Sequence, residues 1–190
     1  MPPRTKITKS AIREAALTVV REHGAAACNA RAVAAKLSCS TQPIFSHYRS
    51  MEEVRHDVIV RAYELYRAYL AREMSSGNYP PYKASGIAYI RFAKEERELF
   101  KLLFMRDRSG EKISSTMEDV DDIIELLCRS TGMSEETART FHLEMWIYVH
   151  GIATMCATSF LDLDLPSISD FLTDAYLGLR ARHCGEEQPK

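Results

Sequence analysis

Residues 29–51, NARAVAAKLSCSTQPIFSHYRSM, constrain the fold most, because they contain two short helical patterns separated by about three residues. Apolar residues of the first pattern recur at i, i+3, i+4 and i+7, at Ala30, Val33, Ala34 and Leu37. Asn29 is placed to cap this helix. Residues 38–40 interrupt the pattern, and Ser40 can cap a second helix through Tyr48. Pro43 fits the first turn of that helix, where its missing amide has no intrahelical partner. The spacing is that of a helix-turn-helix.

The second helix of the pair has one face suited to a DNA major groove. Ile44 and Tyr48 point towards the first helix, and Gln42 and Ser46 point away from it. A glutamine can bond a base edge in two places, and Pro43 can contact a thymine methyl group. The alternative is a short polar surface helix in ordinary packing.

Two further helices flank this pair. An apolar stripe predicts a helix over residues 10–23, capped by Ser10 and stopped by Gly24. A longer helical pattern over residues 51–74 is long enough to leave a first domain and enter a second.

Several residues in this region also form a family signature. They are Ala15, Ala16, Leu17, Val20 and Gly24 in the first helix, Val33, Ala34 and Leu37 in the second, and Phe45, Ser46, His47 and Tyr48 in the third. From about residue 12 to 58, the sequence thereby resembles the TetR-type (TetR/AcrR) bacterial transcriptional regulators. Three positions depart from the family pattern: Ser38 replaces the usual turn glycine, Phe45 a phosphate-contacting tyrosine, and Met51 a common lysine. We therefore expect phosphate binding to depend more on His47, Arg49 and the N-terminal arm.

The distribution of charge favours a DNA-binding domain at the N-terminus. The net charge is −1, but residues 1–50 contain eight Lys or Arg and two Glu, a balance of +6, which leaves −7 for the remainder. Chance asymmetry in a solvated surface is the alternative. The predicted DNA-binding residues are Lys6, Lys9, Asn29, Arg31, Ser40, Thr41, Gln42, Pro43, Phe45, Ser46, His47 and Arg49.

The C-terminal part contains helical patterns at residues 82–94, 95–106, 115–130 and 134–160, and a last one from residue 168. Residues 145–161 contain no charged side chain, but this stretch is short and rich in polar residues for a membrane span. A helix buried between subunits explains it better, and we expect a homodimer formed through a four-helix bundle. The predicted interface residues are Val149, Ile152, Ala153, Cys156, Phe160, Phe171, Leu172, Ala175, Tyr176 and Leu179.

The family resemblance implies a small-molecule effector that binds the C-terminal half. The run Trp146-x-x-x-His150-Gly151 resembles a motif of that half in many TetR-type regulators. Aromatic and methionine side chains indicate an apolar or aromatic ligand, although each could equally be plain core. The predicted pocket residues are Tyr66, Tyr69, Phe92, Phe104, Met105, Met117, Met145, Trp146 and His150.

The sequence gives little support for catalysis, a cofactor or a metal site. It contains no Gly-rich phosphate loop and no G-x-S-x-G or H-E-x-x-H pattern. His142 and His150 could face one cavity, but satisfied core or pocket histidines are more common than metal ligands. The five widely spaced cysteines form no zinc or redox pattern and predict free thiols in a bacterial cytoplasm.

These observations predict an all-α protein of about nine helices. Its DNA-binding helix-turn-helix domain spans residues 1–50, and its ligand-binding and dimerisation domain spans residues 51–190, with helix 51–74 connecting them. The predicted function is that of a sequence-specific transcriptional repressor, released by a ligand from a near-palindromic double-stranded DNA operator. The alternative is a helical ligand-binding or protein-interaction module that no longer binds DNA.

Overall fold

The computed structural model describes residues 7–106 and 118–185. Within these ranges the chain forms nine α-helices, one short 3₁₀ helix and no strand, which confirms the predicted all-α fold. The elements are α1 (Lys9–His23), the 3₁₀ helix (Ala25–Ala27), α2 (Ala30–Lys36), α3 (Gln42–His47), α4 (Met51–Ser75), α5 (Pro81–Glu95), α6 (Arg97–Phe104), α7 (Glu118–Thr131), α8 (Glu135–Ala157) and α9 (Leu165–Cys184).

The helix caps correct two sequence predictions. The side chain of Thr8, rather than Ser10, caps α1 by accepting a bond from the Ala11 amide at 3.1 Å. Ser40 does not cap α3, because that helix begins after Thr41, whose side chain makes no capping bond. The predicted cap at Asn29 is confirmed, because its Oδ1 accepts bonds from the first amides of α2.

The chain forms two compact units. The N-terminal unit comprises the described residues up to 68 together with 95–106, so it contains α1–α3, most of α4, and α6. The C-terminal unit comprises residues 69–94 and 118–185, so it contains the end of α4, nearly all of α5, and α7–α9. The predicted domain limit at residue 50 stays a prediction.

In the N-terminal unit, α1 packs against α2, α3 and α6. Its core consists of fully or nearly fully buried aliphatic and aromatic residues, including Ile12, Val20, Val33, Ile44, Val54, Leu99 and Phe100. Burial of each such side chain contributes about 1.5–3 kcal/mol. An ion pair joins α1 to α6 at the surface, where Arg21 forms two 2.6 Å bonds with the Glu96 carboxylate. The helix-turn-helix therefore rests on a packed support that includes α6.

In the C-terminal unit, α8 packs against α7 and α9. The cluster at this junction contains Ile124, Leu127, Met133, Ala138, Phe141 and Met145. The row of α8 residues that completes the core contains Val149, Ile152, Ala153 and Cys156. Among the described residues, no helix is long and apolar enough to cross a lipid bilayer.

Candidate DNA-binding and regulatory sites

The turn between α2 and α3 contains a residue with unusual backbone geometry. Ser38 has a φ of 51°, in the left-handed region. Its amide bonds the Ala35 carbonyl and the Cys39 amide bonds the Ala34 carbonyl, so the chain reverses tightly after α2. Glycine adopts this conformation without the clash of a β-carbon, which explains why glycine suits this position better than serine.

Helix α3 has one buried and one exposed face. Ile44 and Tyr48 are buried in the N-terminal unit, whereas Gln42 and Ser46 are exposed and the side chain of Phe45 is 52% exposed. Among the other predicted contact residues, Ser40 and His47 are exposed, and Thr41 and Pro43 are half-buried. The exposed side chains are therefore available to a partner.

Two predicted contact residues also make local hydrogen bonds. Asn29 uses both ends of its amide, because Oδ1 caps α2 and Nδ2 donates to the Ala27 carbonyl at 3.1 Å. The Ser46 hydroxyl donates to the Gln42 carbonyl at 3.0 Å. Ser46 can therefore still accept a bond from a base, but it must break this bond to donate one.

The basic residues near the helix-turn-helix differ in their pairing. Lys36, at the end of α2, bonds the Glu22 carboxylate at 2.6 Å. Arg31 and Arg49 have exposed side chains, and neither forms an ion pair with any residue that the structure describes. Both guanidinium groups are therefore available for phosphates.

Several contacts hold residues 7–9 against the end of α3 and the start of α4. His47 Nε2 lies 2.9 Å from the Ile7 carbonyl oxygen. Tyr48 donates to the Asp57 carboxylate at 2.8 Å, and Lys9 lies 3.4 Å from the same carboxylate and over the Tyr48 ring. Burial, together with the Asp57 carboxylate, raises the pKa of Tyr48. The predicted contact Lys6 lies outside the described residues.

The predicted pocket residues are divided between the two units. Tyr66 and Phe104 meet edge to face in the N-terminal unit with ring centroids 5.4 Å apart, and Met105 there is exposed. In the C-terminal unit, Tyr69 meets the buried Phe92 in the same way. Met145 is also buried in that unit. The predicted residue Met117 lies outside the described part of the chain.

Two tyrosine–histidine pairs join α5 to α8, and sequence reasoning missed both tyrosines. Tyr82 Oη lies 3.1 Å from His142 Nδ1, and Tyr89 Oη lies 2.9 Å from His150 Nδ1. Burial lowers the pKa of both histidines, which favours neutral imidazoles. Tyr89 lies seven positions after Tyr82 and His150 lies eight positions after His142, and this similar spacing of about two helical turns is the one signal of the two pairs in the sequence. The structure thus places the two histidines beside different tyrosines.

His150 also stacks on the indole of Trp146. The rings lie 4.9 Å apart at an interplanar angle of 12°, and the Trp146 side chain is 43% exposed. Because the sequence contains a single tryptophan, tryptophan emission reports on the surroundings of Trp146.

A groove of about 480 Å³ lies between α8 and α9. Its lining residues are Glu144, Ile147, Tyr148, Asp174, Ala175, Gly178 and Leu179. Glu144 bonds His183 at 2.7 Å, and Arg182 lies 3.3 Å from the same carboxylate. Bonding to His183 lowers the pKa of Glu144. The groove therefore combines an apolar floor with a carboxylate that ties α8 to α9.

The predicted interface residues fall into two groups. Val149, Ile152, Ala153, Cys156 and Leu172 are buried within the C-terminal unit and have little surface left for a partner. Phe160 and Phe171 are exposed, whereas Ala175, Tyr176 and Leu179 are half-buried. Exposed apolar residues that sequence reasoning did not assign to the interface include Leu143, Ile147, Tyr148, Met155 and Leu177.

Comparison with known proteins identifies the family. A family model described as "Tetracyclin repressor-like, C-terminal domain" matches residues 82–176, half of the chain. The fold is similar to that of a TetR-like transcriptional regulator from Rhodococcus sp. RHA1, with a TM-score of 0.69 and 17% sequence identity. The match covers 98% of this chain and 100% of that one.

Two further solved structures are also similar. A TetR family member from Streptomyces coelicolor A3 has a TM-score of 0.60 and 17% identity, and the match covers 88% of this chain and 96% of that one. The multidrug binding protein EbrR, complexed with imidazole, has a TM-score of 0.60 and 17% identity, and the match covers 91% and 95% of the two chains. No curated protein shows significant sequence similarity to the chain. The family match and the helix-turn-helix agree: the chain belongs to the TetR family of transcriptional regulators.

Proposed function

We propose that the chain is a repressor that binds a near-palindromic operator as a homodimer and leaves it when a small molecule binds. The observation that carries this proposal is the arrangement of α3. Its apolar side, through Ile44 and Tyr48, is buried, while Gln42, Phe45 and Ser46 are exposed. A helix that follows a tight turn and presents such a face can enter a major groove.

The exposed residues suit different parts of a DNA duplex. Gln42 is the residue best suited to read a base, since a side-chain amide can bond adenine in two places. The exposed Phe45 ring can contact a thymine methyl group. Arg31 and Arg49 provide guanidinium groups for phosphates, which position the protein without reading sequence.

The exposed apolar surface of α8 and α9 supports a homodimer. Leu143 and Ile147 lie one helical turn apart on α8, and Ile147 lines the groove together with Ala175 and Gly178 of α9. Phe171 precedes Ala175 by one turn and is also exposed. An apolar surface that extends over two packed helices is typical of a subunit interface, and a second copy would bury it. Two-fold symmetry would then present two α3 helices to successive major grooves.

The aromatic residues between α5 and α8 support an effector site in the C-terminal unit. The partly exposed Trp146–His150 stack supplies a flat apolar surface, and the two tyrosine–histidine pairs supply hydrogen-bonding groups. This combination suits an apolar or aromatic ligand with few polar groups. Such a ligand would favour the conformation that does not fit the operator, and α4 and the α5–α6 junction would transmit the change because both connect the two units.

Selection from a random-sequence duplex library tests the DNA-binding proposal. We expect the purified full chain to enrich a near-palindromic site, and Gln42→Ala to relax preference at one position in each half-site. Asn78→Ala is the matched control, because Asn78 also has an exposed side-chain amide and lies in the other unit, between α4 and α5. If the chain enriches nothing, the protein is instead a ligand-binding or interaction module. If it enriches a site but Gln42→Ala leaves the profile unchanged, Gln42 does not read the operator.

Emission of Trp146 tests the effector site. Titration of the protein with a panel of aromatic compounds should identify ligands that change this emission and release operator DNA at the same concentrations. A compound that releases the DNA without changing the emission would place the effector site away from the Trp146–His150 stack.

A further inference from the structure

The exposed face of α3 lacks the side chains that usually read G·C base pairs. Residues 42–47, QPIFSH, contain no Lys, Arg, Asp or Glu. In the major groove, guanine presents the acceptors O6 and N7, which arginine and lysine bond most often, and the cytosine amino group is typically bonded by carboxylates. His47 is already engaged, because its Nε2 lies 2.9 Å from the Ile7 carbonyl oxygen. The face instead presents an amide, a hydroxyl and an aromatic ring.

The amide of this face belongs to Gln42 and suits adenine. Its side chain is exposed and forms no hydrogen bond with any residue that the structure describes. A free amide both donates and accepts, so it can bond adenine at N7 and at the N6 amino group together. Ser46, one turn later, already donates its hydroxyl proton to the backbone carbonyl oxygen of Gln42 at 3.0 Å. It cannot donate to a guanine without breaking that bond, so the hydroxyl does not favour guanine either.

The aromatic ring of this face belongs to Phe45. Its side chain is 52% exposed, more than Val60 or Met105 in the same unit, and its ring meets no other aromatic ring in the described part of the chain. The ring has no hydrogen-bonding group, so it cannot bond a phosphate oxygen. The C5 methyl group of a pyrimidine is the apolar feature of the major groove, and contact with the ring removes both apolar surfaces from water.

We propose that α3 reads A·T base pairs in each operator half-site, with Gln42 bonding an adenine and Phe45 contacting the C5 methyl group of a thymine. The methyl group of 5-methylcytosine has the same chemistry, but that base pairs with guanine, to which α3 offers no cationic donor. This inference rests on the proposed DNA-binding function and names the bases on which that function depends. Arg31 and Arg49 add affinity through phosphates without contributing to the choice of base.

Random-sequence selection with two variants locates the bases that α3 reads. Positions at which Gln42→Ala or Phe45→Ala relaxes the preference of the wild type are those that each side chain contacts. We expect A·T pairs at these positions in both half-sites, and G·C pairs there would overturn the proposal. Both side chains are exposed, so thermal unfolding of each variant should match that of the wild type.

Removal of single methyl groups tests the Phe45 contact. Each thymine of the selected operator is replaced in turn by uracil, which lacks only the C5 methyl group. At one thymine in each half-site the replacement should weaken binding of the wild type roughly fourfold per methyl group and leave the affinity of Phe45→Ala unchanged. Val60→Ala, the matched control on α4, should respond like the wild type. An equal loss in the wild type and Phe45→Ala, or no loss at any thymine, would overturn the contact.

Two further results separate the possible failures. An operator in which 5-methylcytosine·guanine replaces the same thymine·adenine pair should bind no more tightly than the original, and tighter binding would overturn the assignment to A·T pairs. If the wild type enriches no sequence, the proposed function fails and this inference fails with it. If the wild type enriches a site and the uracil replacements have no effect, only this inference fails.

Discussion

At the scale of single residues, Ser38 occupies a turn whose backbone conformation is unfavourable for a residue with a β-carbon. Its φ of 51° costs a residue with a β-carbon roughly 1–2 kcal/mol, part of which is offset because glycine loses more entropy on folding. We therefore predict that Ser38→Gly raises the free energy of unfolding by about 0.5–1 kcal/mol. Chemical denaturation followed by circular dichroism measures this change.

Ser40→Gly is the matched control, because Ser40 lies in the same turn without a positive φ. There, glycine adds only entropy to the unfolded chain and should lower stability. Equal destabilisation by both changes would contradict the importance of the Ser38 conformation.

The same turn shows what local sequence could predict. The family resemblance marked Ser38 as a departure, but only the structure shows the positive φ that gives the departure a cost. Asn29 was predicted correctly as a cap, since one well-placed side chain precedes a clear apolar pattern. The predicted caps at Ser10 and Ser40 were wrong. Several residues with hydroxyl groups lie near each helix start, and the backbone angles decide which of them can cap the helix.

At the scale of helices, the two tyrosine–histidine pairs should make the α5–α8 contact sensitive to acid. Burial lowers the pKa of His142 and His150 below the ordinary value of 6.5. Below about pH 6.5 the unfolded chain therefore binds protons that the folded histidines resist. We predict that the free energy of unfolding declines as the pH falls below this value, because proton binding by the two histidines then favours the unfolded chain.

Urea unfolding at a series of pH values measures this decline. The double variant His142→Gln, His150→Gln should flatten the dependence of stability on pH in the acidic range. His23→Gln is the control, because His23 is exposed on α1 and lies in the other unit. If the double variant and the control have the same pH dependence, the buried pairs do not determine the acid response.

The positions of these pairs could not be derived from periodicity. The eight-residue spacing of His142 and His150 correctly indicates one side of a helix, and it suggested a shared cavity. Which groups each histidine meets depends on where α5 lies along α8, a long-range pairing that hydrophobic patterns do not encode. In the structure, Tyr82 lies beside His142 and Tyr89 lies beside His150.

At the scale of the whole molecule, the proposed homodimer depends on the exposed surface of α8 and α9. Ile147 has 59% of its side chain exposed, so a charge there should not disturb the fold of one subunit. In a dimer, Ile147→Glu would place two unpaired carboxylates in an apolar interface. We predict that sedimentation velocity finds a dimer for the wild type and a monomer for this variant at micromolar concentration.

Val60→Glu is the control, because Val60 is a similarly exposed apolar residue on α4 in the N-terminal unit. It should remain dimeric. A wild-type monomer, or a dimer that tolerates Ile147→Glu, would contradict the proposed interface.

Sequence reasoning found the apolar character of α8 but could not divide it between core and interface. Val149 and Ile152 follow the helical period as clearly as Leu143 and Ile147, yet the first pair is buried by its own chain and the second pair is exposed. A periodic pattern records which residues avoid water and not which chain covers them. The same limit applies to the predicted pocket. Phe92 and Met145 are residue types that are common in apolar binding sites, but both are buried like core residues.

The central claim is that this chain binds one DNA sequence in preference to others. Fluorescence anisotropy with a labelled duplex from the region flanking its gene, in a salt series and with unrelated DNA as competitor, tests it most directly. The account predicts tight binding of one dimer per duplex that resists the competitor and weakens steeply as salt increases. Binding that is no tighter than to unrelated DNA, both for this duplex and for every site from a random-sequence selection, would contradict it.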